Sequence, residues 1–126
     1  MKKILVTALV LVIILCLFSC SGNYFNKAVS QLESYGLERY DYDYKQISKI
    51  ESDLKKFNIE IEGETTKITH LIKKEGDIIN YAYVYEFENR DDASIFYEGY
   101  AKNSISRLKV NVVIFGNVQM INSIKF

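Results

Sequence analysis

Hydrophobic positions follow three patterns along the chain. The first is continuous. Fifteen apolar or near-apolar residues run from Ile4 to Phe18, and Ser19, Ser21, Gly22 and Asn23 end the run abruptly. The second has a helical period. Phe25, Ala28, Leu32 and Tyr35 predict a helix from Tyr24 to about Tyr35, closed by Gly36 as a left-handed cap and Leu37 as its hydrophobic closing residue. Ile47, Ile50, Leu54 and Phe57 predict a second helix. Asp43 and Gln46 form a capping-box pair at its start, Lys55 and Lys56 suit its last turn, and Asn58 is its stop. Asn89 as N-cap, with Asp91 and Asp92 in the first turn, begins a third helix whose packing stripe is Ala93, Phe96, Tyr97, Tyr100 and Ala101.

The third pattern alternates and predicts strands. "NIEIEGE" places Ile59 and Ile61 opposite Glu60 and Glu62, and "TTKITHLIKK" is rich in β-branched residues. After a turn at Glu75 and Gly76, "DIINYAYVYEFE" points Ile79, Tyr81, Tyr83, Tyr85 and Phe87 one way. Ile78, Ala82 and Val84 point the other way with Asn80, Glu86 and Glu88. "KVNVVIF", Lys109 to Phe115, reads as one further strand. The tail "GNVQMINSIKF" fits either a hairpin turn at Gly116 and Asn117 or a short helix capped by Asn117 with Val118, Ile121 and Ile124 inward; the spacing leans slightly to the helix. The expectation is an α+β fold: an antiparallel sheet of about four strands, two N-terminal helices and one helix before the last strand, with the helices on one face.

Composition narrows the class. The chain has 126 residues, enough for one domain, and is 48% hydrophobic, enough to fold around a core. Net charge is zero, and without Lys2 and Lys3 the remainder is about two charges negative, which excludes a strongly basic nucleic-acid binder as the default reading. One asymmetry stands out: Lys102, Arg107, Lys109 and Lys125 are the charged residues from Gly99 onward, with no acidic residue among them. Ordinary solubilising cations explain that stretch; an anionic contact, with lipid headgroups or a wall polymer, is the sharper alternative.

The N-terminal segment has the order of a secretory signal: Lys2 and Lys3, then the apolar stretch, then small polar residues. A spanning helix needs about 20 apolar residues, more than this run supplies. "LFSC", Leu17 to Cys20, resembles the lipobox of bacterial lipoproteins, with an aliphatic residue three positions before the cysteine and a small residue directly before it. Cys16 follows Leu15, too large for a cleavage position. The resemblance implies a signal peptide over 1–19, a diacylglyceryl thioether on Cys20 with palmitate-type chains, and a single domain over 20–126. It places that domain at the extracytoplasmic face of the cell membrane. Two chains give the stable anchoring that one does not. The mature domain would then hold no free thiol, and hence no disulfide and no zinc thiolate site. "YVYEFENRDDASIFYEGY" followed by "NVVIFGN" is similar to small uncharacterised lipoproteins of low-GC Gram-positive bacteria. That similarity bears on the fold and transfers no functional residue.

Catalytic constellations are sparse. His70 is the single histidine and lies within a strand pattern, where a satisfied or surface residue is the ordinary reading. Asp41 with Asp43, and Asp91 with Asp92, read as helix-start residues rather than an acid–base pair. No cofactor is expected. Ten tyrosines remain. Tyr81, Tyr83 and Tyr85 read as packing residues. Tyr40 and Tyr42, flanked by Arg39, Asp41 and Asp43, are the candidate binding surface. The leading expectation is a non-enzymatic, membrane-anchored binding or interaction module whose partner is another envelope protein. The alternatives are an envelope ligand-binding or enzymatic domain with a tyrosine-lined pocket, and a self-protection or inhibitor lipoprotein.

Overall fold

The computed structural model describes residues 24–126. The signal peptide expected over 1–19 and Cys20 lie outside the described residues. Helix α1 covers residues 24–34, followed by β1 (Glu38–Asp41), α2 (Tyr44–Lys56), β2 (Thr65–Glu75) and β3 (Ile78–Phe87). Then come α3 (Arg90–Gly99), β4 (Ile105–Lys109) and β5 (Val112–Gly116), with 3₁₀ turns at Ala101–Asn103 and Gln119–Ser123.

Local chemistry sets the helix ends. Gly36, at φ +106°, closes α1: the Leu37 amide donates to the Leu32 carbonyl and the Leu37 side chain is buried. Asn58, at φ +60°, closes α2 in the same way, with the Ile59 amide donating to Leu54 and Ile59 buried. Both halves of the Asp43–Gln46 capping box form, and the Asn89 side chain accepts from the Asp92 amide. Three stripe residues end up outside the core. Tyr35 and Tyr100 lie in the turns after their helices, and Phe57 sits at the C-cap of α2; all three are exposed.

The sheet has five strands in the order β1-β2-β3-β5-β4, every neighbouring pair antiparallel. The fold is therefore α+β, with one strand more than expected. Its helices occupy both faces. Phe25, Ala28, Val29 and Leu32 of α1 join Val118, Ile121 and Ile124 of the tail over Leu71, Ala82, Val84, Val112 and Ile114. On the opposite face Ile47 and Leu54 of α2 join Ala93 and Phe96 of α3 over Ile68, Tyr85, Phe87, Val113 and Phe115. The expected single helical layer is thus two layers, because alternate residues of β3 and β5 are apolar on both faces. Gly116 permits the tight β3–β5 contact; a Cβ there would meet the Tyr81 carbonyl oxygen at 2.1 Å.

Three strand expectations need correction. "NIEIEGE" is not a strand. Its amides are taken by carboxylates: Asp92 accepts from Glu62 and Gly63, at 3.0 and 2.8 Å, and Glu88 accepts from Glu64 at 3.0 Å. "KVNVVIF" is broken at Val110 and Asn111, the turn between β4 and β5. Val110 has φ +55°, which a β-branched residue rarely adopts. β1 was hidden because all four of its residues are exposed and carry no alternation. In the tail, Val118, Ile121 and Ile124 do face inward, on a 3₁₀ turn. Asn117 does not cap that turn; its side chain accepts from the Tyr81 amide and donates to the Ile79 carbonyl.

Candidate functional site

Strand register brings the candidate residues together. Tyr40 of β1 pairs with His70 of β2, His70 with Tyr83 of β3, and Tyr83 with Phe115 of β5. These four therefore form one row across the sheet on the face that α2 and α3 pack: Phe115 at one end is buried with its ring 5.6 Å from that of Phe96 in α3, and Tyr40 at the other end is exposed. His70 lies parallel on Tyr83, with ring centroids 4.2 Å apart and planes 5° apart, and Tyr83 stacks on Phe115 at 5.2 Å. Tyr81 and Tyr85 meet Tyr83 edge-on at 6.0 and 6.2 Å. Tyr85 then stacks on Phe96 at 4.7 Å beneath α3. One aromatic network thus runs from the buried core to an open sheet face.

The open end of that face is apolar and aromatic. Tyr40 is 51% exposed and Ile79 53%, while Ile72, Tyr81, Tyr83 and His70 are half-buried. The Tyr40 hydroxyl donates to Glu38, which raises its pKa. Tyr42 follows on the same face, half-buried against the α2 layer. Burial, and then the neighbouring phenol of Tyr42, hold the Tyr83 phenol up at about 12, and burial pushes Tyr85 higher still. Burial also lowers the His70 imidazole below 6.5, so the ring is neutral at pH 7. The face thus presents the rings of Tyr40, His70, Tyr81 and Tyr83 with Ile72 and Ile79, and register places Glu38 and Lys74 on it as well.

A cleft of about 670 Å³ adjoins this face between α2 and the start of β2, and Tyr42, Tyr44, Ser48, Glu51, Lys55 and Thr66 are among its lining residues. His70 does not line it. Desolvation, helped by Glu64, raises the Glu51 carboxyl. The carboxylate pairs separate. Asp43 caps α2 as expected, but Asp41 is a β1 residue that accepts from Arg39 and Thr69, which together lower its pKa. Asp92 is 1% exposed, and its carboxylate faces the 62–63 loop amides beside α3. Among the described residues no group of three or more metal-ligating side chains is assembled, and no helix is long and apolar enough to cross a membrane.

Of the site, the sequence pointed to Tyr40 and Tyr42 and assigned Tyr81 and Tyr83 to packing. It passed over His70, Ile72 and Ile79 as surface partners. The alternation of β3 had already placed Tyr81, Tyr83 and Ile79 on one face; what was missing was the register that sets them beside Tyr40 and His70. Compared with known protein families, curated proteins and solved structures, the chain matches none.

Proposed function

We propose that the protein is a lipid-anchored, non-enzymatic binding module at the extracytoplasmic face of the cell membrane, with another envelope protein as its partner. The observation that carries this reading is Cys20, set at the end of the apolar run and preceded by Leu17-Phe18-Ser19. Two structural features support it. α1 is already packed into the core from Phe25 onward. Three residues separate Cys20 from Tyr24, so the chain between anchor and folded body can span at most about 14 Å. The second feature is the open aromatic face around Tyr40, His70 and Tyr81, which offers a partner apolar area with polar tips.

The anchor is tested by mass spectrometry of the membrane-extracted protein. A diacylated Cys20 at the mature N-terminus is expected, together with release from the membrane in Cys20→Ala. An N-terminus still at Met1, or unchanged location of the variant, would sink it. The binding role is tested with a photo-crosslinking residue at Tyr40 or Tyr81 in intact cells. One envelope protein captured at these positions and not at Phe57 is the expected result.

A further inference from the structure

A second aromatic cluster, distinct from the tyrosine face, lies where α1 begins. Tyr24 and Phe126 meet edge to face at 5.8 Å. The Lys109 ammonium stands 5.4 Å from the Tyr24 ring centre and 6.0 Å from that of Phe126, and the Arg107 guanidinium lies 4.9 Å over Phe126. Arg107 also donates to the Ile124 carbonyl. Gln31 of α1 secures the tail beside them, donating to the Lys125 carbonyl at 2.7 Å and accepting from the Lys125 amide at 2.8 Å. All four clustered side chains are half-buried.

The cations of this cluster form no ion pair with a described residue, and the nearest acidic position by register is the buried Glu86, two strands from Lys109. Among the described residues, every ion pair lies elsewhere, and neither Arg107 nor Lys109 has a carboxylate within 4 Å. Lys102, from the same acid-free stretch, is paired with Glu98 at 2.9 Å. In α1 and the tail, Lys27 and Lys125 add positive charge, and the single acidic residue, Glu33, reaches Arg39 at 3.7 Å instead. Aromatic rings carrying cationic heads are the side chains that settle at a membrane–water interface, and anionic headgroups attract such cations at short range.

We propose that Tyr24, Phe126, Arg107 and Lys109 form a membrane-contact surface, the two rings seated at the interface and the two cations holding the phosphates of anionic phospholipids. Charge complementarity favours this occupant, and so does position, since residue 24 is where the chain arrives from Cys20. The position rests on the proposed anchor; the headgroup contact is read separately. The surface turns one end of the domain to the bilayer and leaves the Tyr40 face to a partner.

The chain contains no tryptophan, so Phe126→Trp in the full-length protein gives a single reporter. The protein is purified from membranes and reconstituted into vesicles of brominated phosphatidylcholine, with or without ~30% phosphatidylglycerol. Quenching at least about twofold stronger in the anionic vesicles is expected, falling to the neutral level in ~0.5 M salt and on adding Arg107→Gln with Lys109→Gln. The charge-preserving pair Arg107→Lys with Lys109→Arg keeps it, which separates charge from packing. A reporter at Phe57→Trp, in the α2 layer, stays unquenched. Equal quenching in neutral and anionic vesicles, or equal quenching at Phe57→Trp, overturns the proposal. Binding of soluble polyphosphate as tight as binding to vesicles also overturns it, assigning the cluster to a wall polymer. The N-terminal mass of the same preparation reports on Cys20 independently. An unmodified N-terminus with intact anionic quenching removes the anchor and keeps the headgroup contact; an acylated Cys20 without the anionic difference does the reverse.

Discussion

His70 lies flat against Tyr83, its register partner, with ring centroids 4.2 Å apart and planes 5° from parallel. Burial of the stacked imidazole lowers the His70 pKa below its ordinary 6.5.

That shift links stability to pH with a definite sign. Between the folded-state value and 6.5 the unfolded chain binds a proton that the folded chain does not. The stabilisation is therefore complete above about pH 6.5 and declines as pH falls through that window. Glu51, raised above 4.5, works in the opposite sense just above its unfolded value, and the depressed Asp41 matters only below 3.8. Urea denaturation midpoints should be level from about pH 7 to 8 and fall towards pH 5, and His70→Gln should remove part of the fall. An identical pH profile in that variant would assign the dependence to other groups.

Asp92 ties the segment before β2 to α3. Its two carboxylate oxygens accept from the Glu62 and Gly63 amides and from the Asn89 side chain, and the residue is 1% exposed. Asp92→Ala should cost about 3 kcal/mol, because charge-assisted bonds are lost and two amides lose their acceptor. Hydrogen exchange locates the effect: the Glu62 and Gly63 amides should lose protection before those of β3. Uniform loss across the sheet would contradict a local role.

Val110 turns the β4–β5 hairpin at φ +55°. That conformation costs a β-branched residue about 1–2 kcal/mol, and asparagine tolerates it far better. Val110→Asn should therefore raise stability by about 1 kcal/mol in chemical denaturation. A destabilised variant would mean that the half-buried Val110 side chain contributes more by packing than the backbone loses in strain.

Much of the fold was legible because its signals are local. Gly36, Asp43, Asn58 and Asn89 cap helices through bonds that reach three to five residues. The alternation of Ile78–Phe87 placed its two faces correctly because side-chain direction follows from the pleat alone. The failures share a non-local cause. "NIEIEGE" alternates like a strand, but acceptors from Asp92 and Glu88, 24 to 30 residues away, take the amides a ladder would use. Glu38–Asp41 has no alternation to read, and it pairs because β2 presents a free edge.

The candidate surfaces divide in the same way. Sequence alone determined the apolar run ending at Cys20, the acid-free C-terminal stretch and the exposed character of Tyr40. Tertiary structure decided that Tyr40 shares a row with His70 and Tyr83, and that Arg107 and Lys109 stand over Tyr24 and Phe126. Charge and hydropathy belong to each residue, whereas neighbours across a sheet are chosen by strand order and register, which the whole core sets at once.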